Sequence, residues 1–134
     1  MTKMDMVWVA AANLIRPSIT SLRTVTREQI ESEVSRLFGA SITPIMIDKH
    51  LVSFESRQAD RRNPRRGGSR NRYLFRTADG SSPSKSGRFR LYKSADKLHD
   101  GEDKTGPINP DSKNVNIAFQ ALITWYESEY LNVP

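Results

Sequence analysis

The sequence contains no cysteine and only two histidines, and its aromatic content is low, at 8%. Without cysteine, disulfide frameworks, thiolate zinc sites and a cysteine nucleophile are excluded. With His50 and His99 as the only histidines, a metal site built from several histidines is not expected. The lack of cysteine fits a reducing compartment, so we predict a cytoplasmic protein.

Long hydrophobic runs are also missing. The most apolar segment, residues 6–15, is too short to span a bilayer, and no small-residue cleavage site of a secretory leader follows it. We therefore predict an N-terminal core helix over residues 4–15, ended by Pro17, and no membrane association. Residues 19–25 contain β-branched residues and are predicted to include a short edge strand.

The charge of the chain is concentrated in its middle. Residues 57–93 contain twelve Lys or Arg and two acids, a balance of +10. The preceding residues 1–56 balance to 0, and residues 94–134 balance to −4, which together give the net charge of +6. A cationic band between a neutral and an acidic block is typical of a protein that binds a polyanion. Most of the band is arginine, whose guanidinium group fits phosphate and guanine edges.

The second helix is marked by a capping box and a glycine stop. Thr26 and Gln29 occupy the two positions of the box, and Gly39 is suited to the left-handed conformation that ends many helices. Between them, apolar residues recur at helical spacing. This stripe consists of Ile30, Val34, Leu37 and Phe38.

A third helix is predicted at about residues 44–58. Thr43 is a favourable N-cap and Pro44 a favourable first helical residue. Ile47, Leu51 and Phe54 would form its buried stripe. Two helices joined by a tight turn constitute a helix-turn-helix pattern.

The second half of the chain alternates between loops and periodic segments. Residues 60–70 are entirely polar or Gly and Pro, which predicts a loop. Residues 71–77 and 88–93 alternate between apolar or aromatic and basic residues, and we predict that they pair as antiparallel strands around a mobile loop. A polar connection leads to a final helix over residues 112–130, whose aromatic stripe is predicted to pack on the first helix or to form a homodimer face.

This order of elements resembles a winged helix-turn-helix domain, on the evidence of the capping box, the turn at residues 39–42, the helix that begins at Thr43-Pro44, and the strands NRYLFRT and RFRLYK. The run of residues 53–77 also resembles small bacterial proteins with domains of unknown function. The resemblance implies an α+β fold with a three-helix core, a β-hairpin wing and a C-terminal helix, in which the third helix enters the major groove. We predict one domain over residues 1–134, divided into 4–93, 94–110 and 111–131.

Two sets of residues are predicted to contact nucleic acid. Arginine and lysine of the basic band would neutralise phosphates, and the outward face of the third helix would read base edges. The predicted phosphate contacts are Arg57, Arg61, Arg62, Arg65, Arg66, Arg70, Arg72, Arg76, Lys85, Arg88 and Arg90. The predicted base contacts are Thr43, Ile45, Lys49, Val52 and Ser53.

The pattern favours a DNA-binding protein without catalytic activity or cofactor. The sequence shows no nucleophile elbow, phosphate-cradling glycine loop or convincing carboxylate pair. The acidic cluster at residues 99–103 is predicted to be a solvated loop rather than a metal site. Two alternatives stay open: an RNA-binding module or small ribonuclease that stacks bases on strand aromatics, and an adaptor whose basic band docks an acidic protein.

Overall fold

The fold is of mixed helix and sheet. A computed structural model of the chain describes residues 1–17, 23–43, 51–52, 73–76, 88–96 and 107–133, with residues 51, 52 and 76 described by their backbone alone. No helix in these ranges is both long and apolar enough to cross a lipid bilayer. The described elements are α1 (Lys3–Ile15), β1 (Val25–Thr26), α2 (Arg27–Phe38), β2 (Leu51–Val52), β3 (Leu74–Arg76), β4 (Arg88–Leu91), a 3-10 turn (Ser112–Asn114), α3 (Ile117–Trp125) and a π-helical turn (Tyr126–Tyr130).

The strands form one sheet in the order β1-β4-β3-β2. β4 pairs antiparallel with both β1 and β3, whereas β2 runs parallel to β3. The mixed helix and sheet agree with the α+β class predicted from the sequence. An edge strand does precede α2, but at Val25–Thr26, so that only Val25 falls within the predicted range of residues 19–25.

α1 lies at the centre of the hydrophobic core. Its residues 7–12 are all buried, because α1 packs against α2, α3, β1 and β4. The Thr2 hydroxyl caps the helix by accepting a hydrogen bond from the backbone amide of Asp5 at 3.2 Å. The prediction of a core helix over residues 4–15 is confirmed.

α2 begins and ends where its capping signals predict. The backbone amide of Gln29 donates to the Thr26 hydroxyl at 3.2 Å, and the Thr26 amide donates to the Gln29 side chain at 2.9 Å. At the other end Gly39 has φ of 63°, in the left-handed region that favours glycine. Ile30 and Val34 turn their side chains into the core and are fully buried.

Thr26→Ala is expected to lower the free energy of unfolding by about 1 kcal/mol, because it removes the acceptor for one amide of the first turn of α2. Urea denaturation measures the change. Ser32→Ala, at an exposed position of the same helix, is the matched control and should stay within about 0.5 kcal/mol of the parent. Equal stabilities of the two variants would contradict the role of the capping box.

The third predicted helix is wrong where the structure can test it. Leu51 and Val52 form β2, paired with Leu74 and Phe75, so one continuous helix over residues 44–58 is excluded. Short apolar stretches fit a helical stripe and a strand about equally well, and pairing with β3 decided between them. The other residues of this predicted helix lie outside the described ranges.

The predicted hairpin strands are confirmed. In the register of β3 and β4, Leu74 pairs with Leu91, Phe75 with Arg90 and Arg76 with Phe89. Side chains alternate between the two faces of a strand, so Phe89 and Leu91 share the face that packs into the core, where both are fully buried.

The C-terminal helical segment also lies close to its predicted bounds. The 3-10 turn, α3 and the π-helical turn together cover most of residues 112–130. The rings of Trp8 and Tyr126 meet edge to face, with centroids 5.5 Å apart, and both are fully buried. The prediction that this segment packs on the first helix is confirmed, and a homodimer face on it stays a prediction.

Candidate nucleic-acid interface

Three strands of the sheet finish at one end and the fourth begins there, beside described arginine residues. β3 finishes at Arg76, opposite Phe89, and β2 finishes beside it because Val52 pairs with Phe75. β1 finishes at Thr26, which pairs with Arg88 at the start of β4. The connections that begin after β2 and after β3 therefore leave the sheet at this same end. We call it the arginine end and define it by Arg27, Arg76 and Arg88.

Two of these arginines have described side chains. Arg88 is exposed, and its guanidinium donates to the Thr24 hydroxyl at 3.5 Å. Arg27, the first residue of α2, is half-buried, with its guanidinium carbon 5.1 Å from the centre of the Phe89 ring. A guanidinium group that stacks on a ring can still direct N–H groups outward toward phosphate.

Arg27 was not among the predicted contacts. The capping box already placed it at the start of a helix. Its position beside Arg88 depends on the pairing of Thr26 with Arg88, and two-residue strands carry too little pattern for that pairing to be predicted.

Arg90 must be removed from the predicted phosphate contacts. Its two terminal nitrogens donate to the Asp96 carboxylate at 2.7 and 2.6 Å, and its side chain is only 14% exposed. The guanidinium carbon also lies 4.7 Å from the centre of the Phe75 ring. Burial opposes the charge on Arg90, but the bonds to Asp96 outweigh it and raise the pKa of Arg90 above its ordinary value.

Lys93, the last base of the cationic band, is also directed inward. Its ammonium group donates to the Val133 carbonyl oxygen at 3.2 Å and lies 4.8 Å from the centre of the Tyr130 ring. Burial, together with the charge of Arg90, lowers the pKa of Lys93. Among the bases of the band whose side chains the structure describes, Arg90 and Lys93 are therefore directed inward, whereas Arg88 is exposed.

The aromatic side chains of the strand region are not presented to solvent as a stacking platform. Tyr73, Phe89 and Tyr92 are buried, with 3%, 0% and 6% of their surface exposed. Phe75 is half-buried beneath the guanidinium of Arg90 and packs near Tyr92. Unpaired bases therefore find no open ring on the described strands.

The remaining predicted contacts are divided between described and undescribed residues. Thr43 is exposed. Val52 belongs to a strand and not to a recognition helix, so its predicted place on a helix face that reads bases is wrong. The other predicted contacts lie outside the described residues: Arg57, Arg61, Arg62, Arg65, Arg66, Arg70, Arg72, Lys85, Ile45, Lys49 and Ser53.

Within the described ranges, no group of three or more His, Asp or Glu side chains is placed to hold a metal ion. The acidic cluster at residues 99–103 and both histidines lie outside these ranges.

Comparison with known proteins adds no relative to this picture. No protein-family model, curated protein or solved structure matches the chain significantly. The proposals that follow therefore rest on the residues of this chain alone.

Proposed function

We propose that this protein binds nucleic acid, with duplex DNA favoured, by contacting phosphates at the arginine end of the sheet. The observation that carries the proposal is that Arg27 and exposed Arg88 lie at the end of the sheet where β2 finishes and the arginine-rich connection that follows it begins. Guanidinium groups bind phosphate oxygens by charge-assisted hydrogen bonds, and closely spaced cations release several counterions from a polyanion at once.

The positive charge of the sequence supports such contacts. Of the twelve bases of residues 57–93, Arg90 and Lys93 are used internally and Arg88 is exposed, and the side chains of the other nine lie outside the described part of the chain. Arg27 adds one more at the same end of the sheet. The two acids of the band are far too few to neutralise them. A positive field of this kind attracts a polyanion over distances of about a Debye length, roughly 8–10 Å at physiological salt.

The burial of the strand aromatics favours phosphate contact over base stacking. Single-stranded RNA or DNA is commonly held by bases that stack on exposed rings. Here Tyr73 and Phe89 are buried in the core, and Phe75 is covered by Arg90. We therefore place a duplex, whose outer surface is phosphate, ahead of an unpaired strand.

The winged helix-turn-helix architecture belongs to the same proposal. The order α1, β1, α2, β3, β4, with β4 between β1 and β3, supports a helical core that carries a hairpin wing. The parallel strand β2 departs from the predicted pattern, so a recognition helix would have to be shorter than residues 44–58. We also propose that the protein acts in the cytoplasm, in accordance with its lack of cysteine.

Binding to a mixed-sequence duplex is expected to weaken steeply with salt. About five phosphate contacts give a log–log slope of about −4 to −5. Fluorescence anisotropy at several salt concentrations measures it for labelled duplex, single-stranded DNA and RNA. A slope near zero would contradict the proposal. Tighter binding to single strands would select the RNA-type alternative, and binding to an acidic peptide without any affinity for DNA would select the adaptor.

Arg88→Gln is expected to reduce the magnitude of the slope by about 1, the change produced by the loss of a single phosphate contact. Lys113→Gln is the matched control, because it removes the same charge from another exposed position. Lys113 neighbours Asp111, which lines a cleft together with Tyr73, and Tyr73 precedes the start of β3, at the other end of the sheet. Equal effects of the two substitutions would show that net charge matters and the arginine end does not.

A further inference from the structure

The end of the sheet opposite the arginine end borders a cleft of about 950 Å³. We call it the Asp5 cleft and define it by Asp5, Tyr73, Ile108, Asp111, Ile123 and Glu127, which line it. Its volume lies within the range of roughly 300–1,000 Å³ that is usual for small-molecule sites. The phosphate-binding role proposed above does not use this cleft.

Asp5 is the most unusual residue of the cleft. It is only 7% exposed, yet its carboxylate accepts one long hydrogen bond, from the Tyr73 hydroxyl to Oδ1 at 3.4 Å. Its other oxygen, Oδ2, accepts no hydrogen bond from any residue that the structure describes. Asp5 lies in the first turn of α1, where the helix N-terminus favours a carboxylate. Its Oδ2 still lacks a hydrogen-bond donor from the described part of the protein, and a cation that entered the cleft would supply one.

The rest of the lining has the same sign of charge. Asp111 and Glu127 add two carboxylates, and no lysine or arginine is among the described residues of the wall. Outside the wall, the Lys113 ammonium lies 3.7 Å from Oδ2 of Asp111. Within it, the Asn109 amide donates to Glu127 at 3.5 Å. Between the carboxylates lie apolar side chains, including Ile108 and buried Ile123. The cleft therefore combines anionic groups with apolar surface, although the whole chain carries a net charge of +6.

We propose that the Asp5 cleft binds a small aliphatic amine, that is, a molecule in which primary ammonium groups are joined by methylene chains. Ammonium groups satisfy carboxylate oxygens such as Oδ2 of Asp5 by charge-assisted hydrogen bonds. The methylene chain packs on Ile108 and Ile123, which a hydrated metal ion would leave uncovered. Since no group of acidic and histidine side chains in the described ranges is placed to hold a metal ion, an organic cation fits this lining better.

Calorimetric titration of the full chain with putrescine and with spermidine tests the proposal in the absence of nucleic acid. Saturable binding at one site is expected, with amide NMR shifts at Asp5, Gln120 and Thr124, which belong to or line the cleft. The neutral analogue 1,4-butanediol should not bind. Absence of saturable binding by either amine, or equal binding of the diol, would overturn the proposal.

Asp5→Asn is expected to weaken amine binding by at least about tenfold, the loss that follows removal of a charge-assisted contact. Glu127→Gln changes an exposed residue of the cleft wall and should weaken binding to a smaller extent without disturbing the core. Glu129→Gln is the matched control, since it removes the same charge from an exposed residue that is not among the described lining.

An unchanged affinity in both cleft variants would contradict the site, and so would an equal loss in Glu129→Gln. If Asp5→Asn fails to fold, Glu127→Gln compared with Glu129→Gln decides the question alone.

Discussion

Asp96→Ala is expected to lower the free energy of unfolding by about 3–5 kcal/mol, because it leaves the buried guanidinium of Arg90 without a counter-charge. The Asp96 carboxylate accepts hydrogen bonds from both terminal nitrogens of Arg90. It also accepts one from the backbone amide of Lys93, at 2.7 Å. The two side chains are 14% and 9% exposed, so water cannot replace the lost carboxylate. Urea denaturation at neutral pH measures the loss.

A double-mutant cycle separates the ion pair from simple packing. Arg90→Met keeps an unbranched side chain over Phe75 but removes the charge. Replacement of a buried ion pair by apolar groups is often close to neutral. The double variant Arg90→Met with Asp96→Ala should therefore recover much of the lost stability, although the Lys93 amide stays unsatisfied.

Lys113→Ala provides the comparison with an exposed pair. The Lys113 ammonium nitrogen lies 3.7 Å from Oδ2 of Asp111, and the two side chains are 79% and 54% exposed. Their pair is expected to contribute less than about 1 kcal/mol. If Asp96→Ala costs no more than Lys113→Ala, Arg90 is not held as the structure indicates and returns to the set of phosphate contacts.

Alkaline pH is expected to destabilise the protein steeply above about pH 10, because two tyrosines ionise readily in the unfolded chain but resist ionisation where they are buried in the fold. Burial raises the pKa of Tyr130 from 10.0 to about 12, with Arg90 opposing and Asp96 adding to the shift. Burial raises the pKa of Tyr126 as well. Tyr126 is fully buried and donates its hydroxyl to the Tyr92 carbonyl oxygen.

The direction of the effect follows from proton binding. Below pH 10 both tyrosines are neutral in the folded and the unfolded chain, and their contribution to stability is fully present. Above it the unfolded chain ionises first, so the folded state loses stability as the pH rises toward the folded pKa. Two pKa units for Tyr130 correspond to about 2.7 kcal/mol, and Tyr126 adds to the loss in the same direction.

Lys93 has the opposite effect on the pH dependence of stability over part of the alkaline range. Its pKa is lowered below the ordinary 10.5, so the unfolded chain binds more protons at this site and stability rises with pH up to about that value. Urea denaturation at several pH values between 8 and 12 resolves the two effects. Tyr130→Phe should leave stability at pH 8 nearly unchanged and flatten the decline above pH 10. An equal slope in this variant and the parent would show that Tyr130 ionises freely.

The helices were predictable because their signals are local. Thr26, Gln29 and Gly39 act within one turn of α2 and fix its ends regardless of what the helix packs against. Residues 4–15 are nearly all apolar, so a helix over them has to be buried on several sides, and α1 is buried in this way. The alternation of apolar and basic residues likewise predicted the strands β3 and β4.

The prediction of a third helix was wrong at Leu51 and Val52 because these residues lie in a stretch with no such local signal. Their apolar side chains fit a helical stripe as well as a strand, and the choice depends on whether β3 is available as a hydrogen-bonding partner. Sheet pairing joins residues far apart in sequence, so neither segment alone indicates which strand it will pair with.

The roles of the basic residues divide in the same way. The sequence by itself determined that residues 57–93 carry a large excess of positive charge, because ionisation is a property of each side chain. Only the tertiary structure decided that Arg90 donates to Asp96 and that Lys93 donates to Val133. It likewise decided that Arg88 is exposed and that Arg27 lies at the same end of the sheet. Burial and pairing depend on which distant segments come together, and that is fixed by packing of the whole chain.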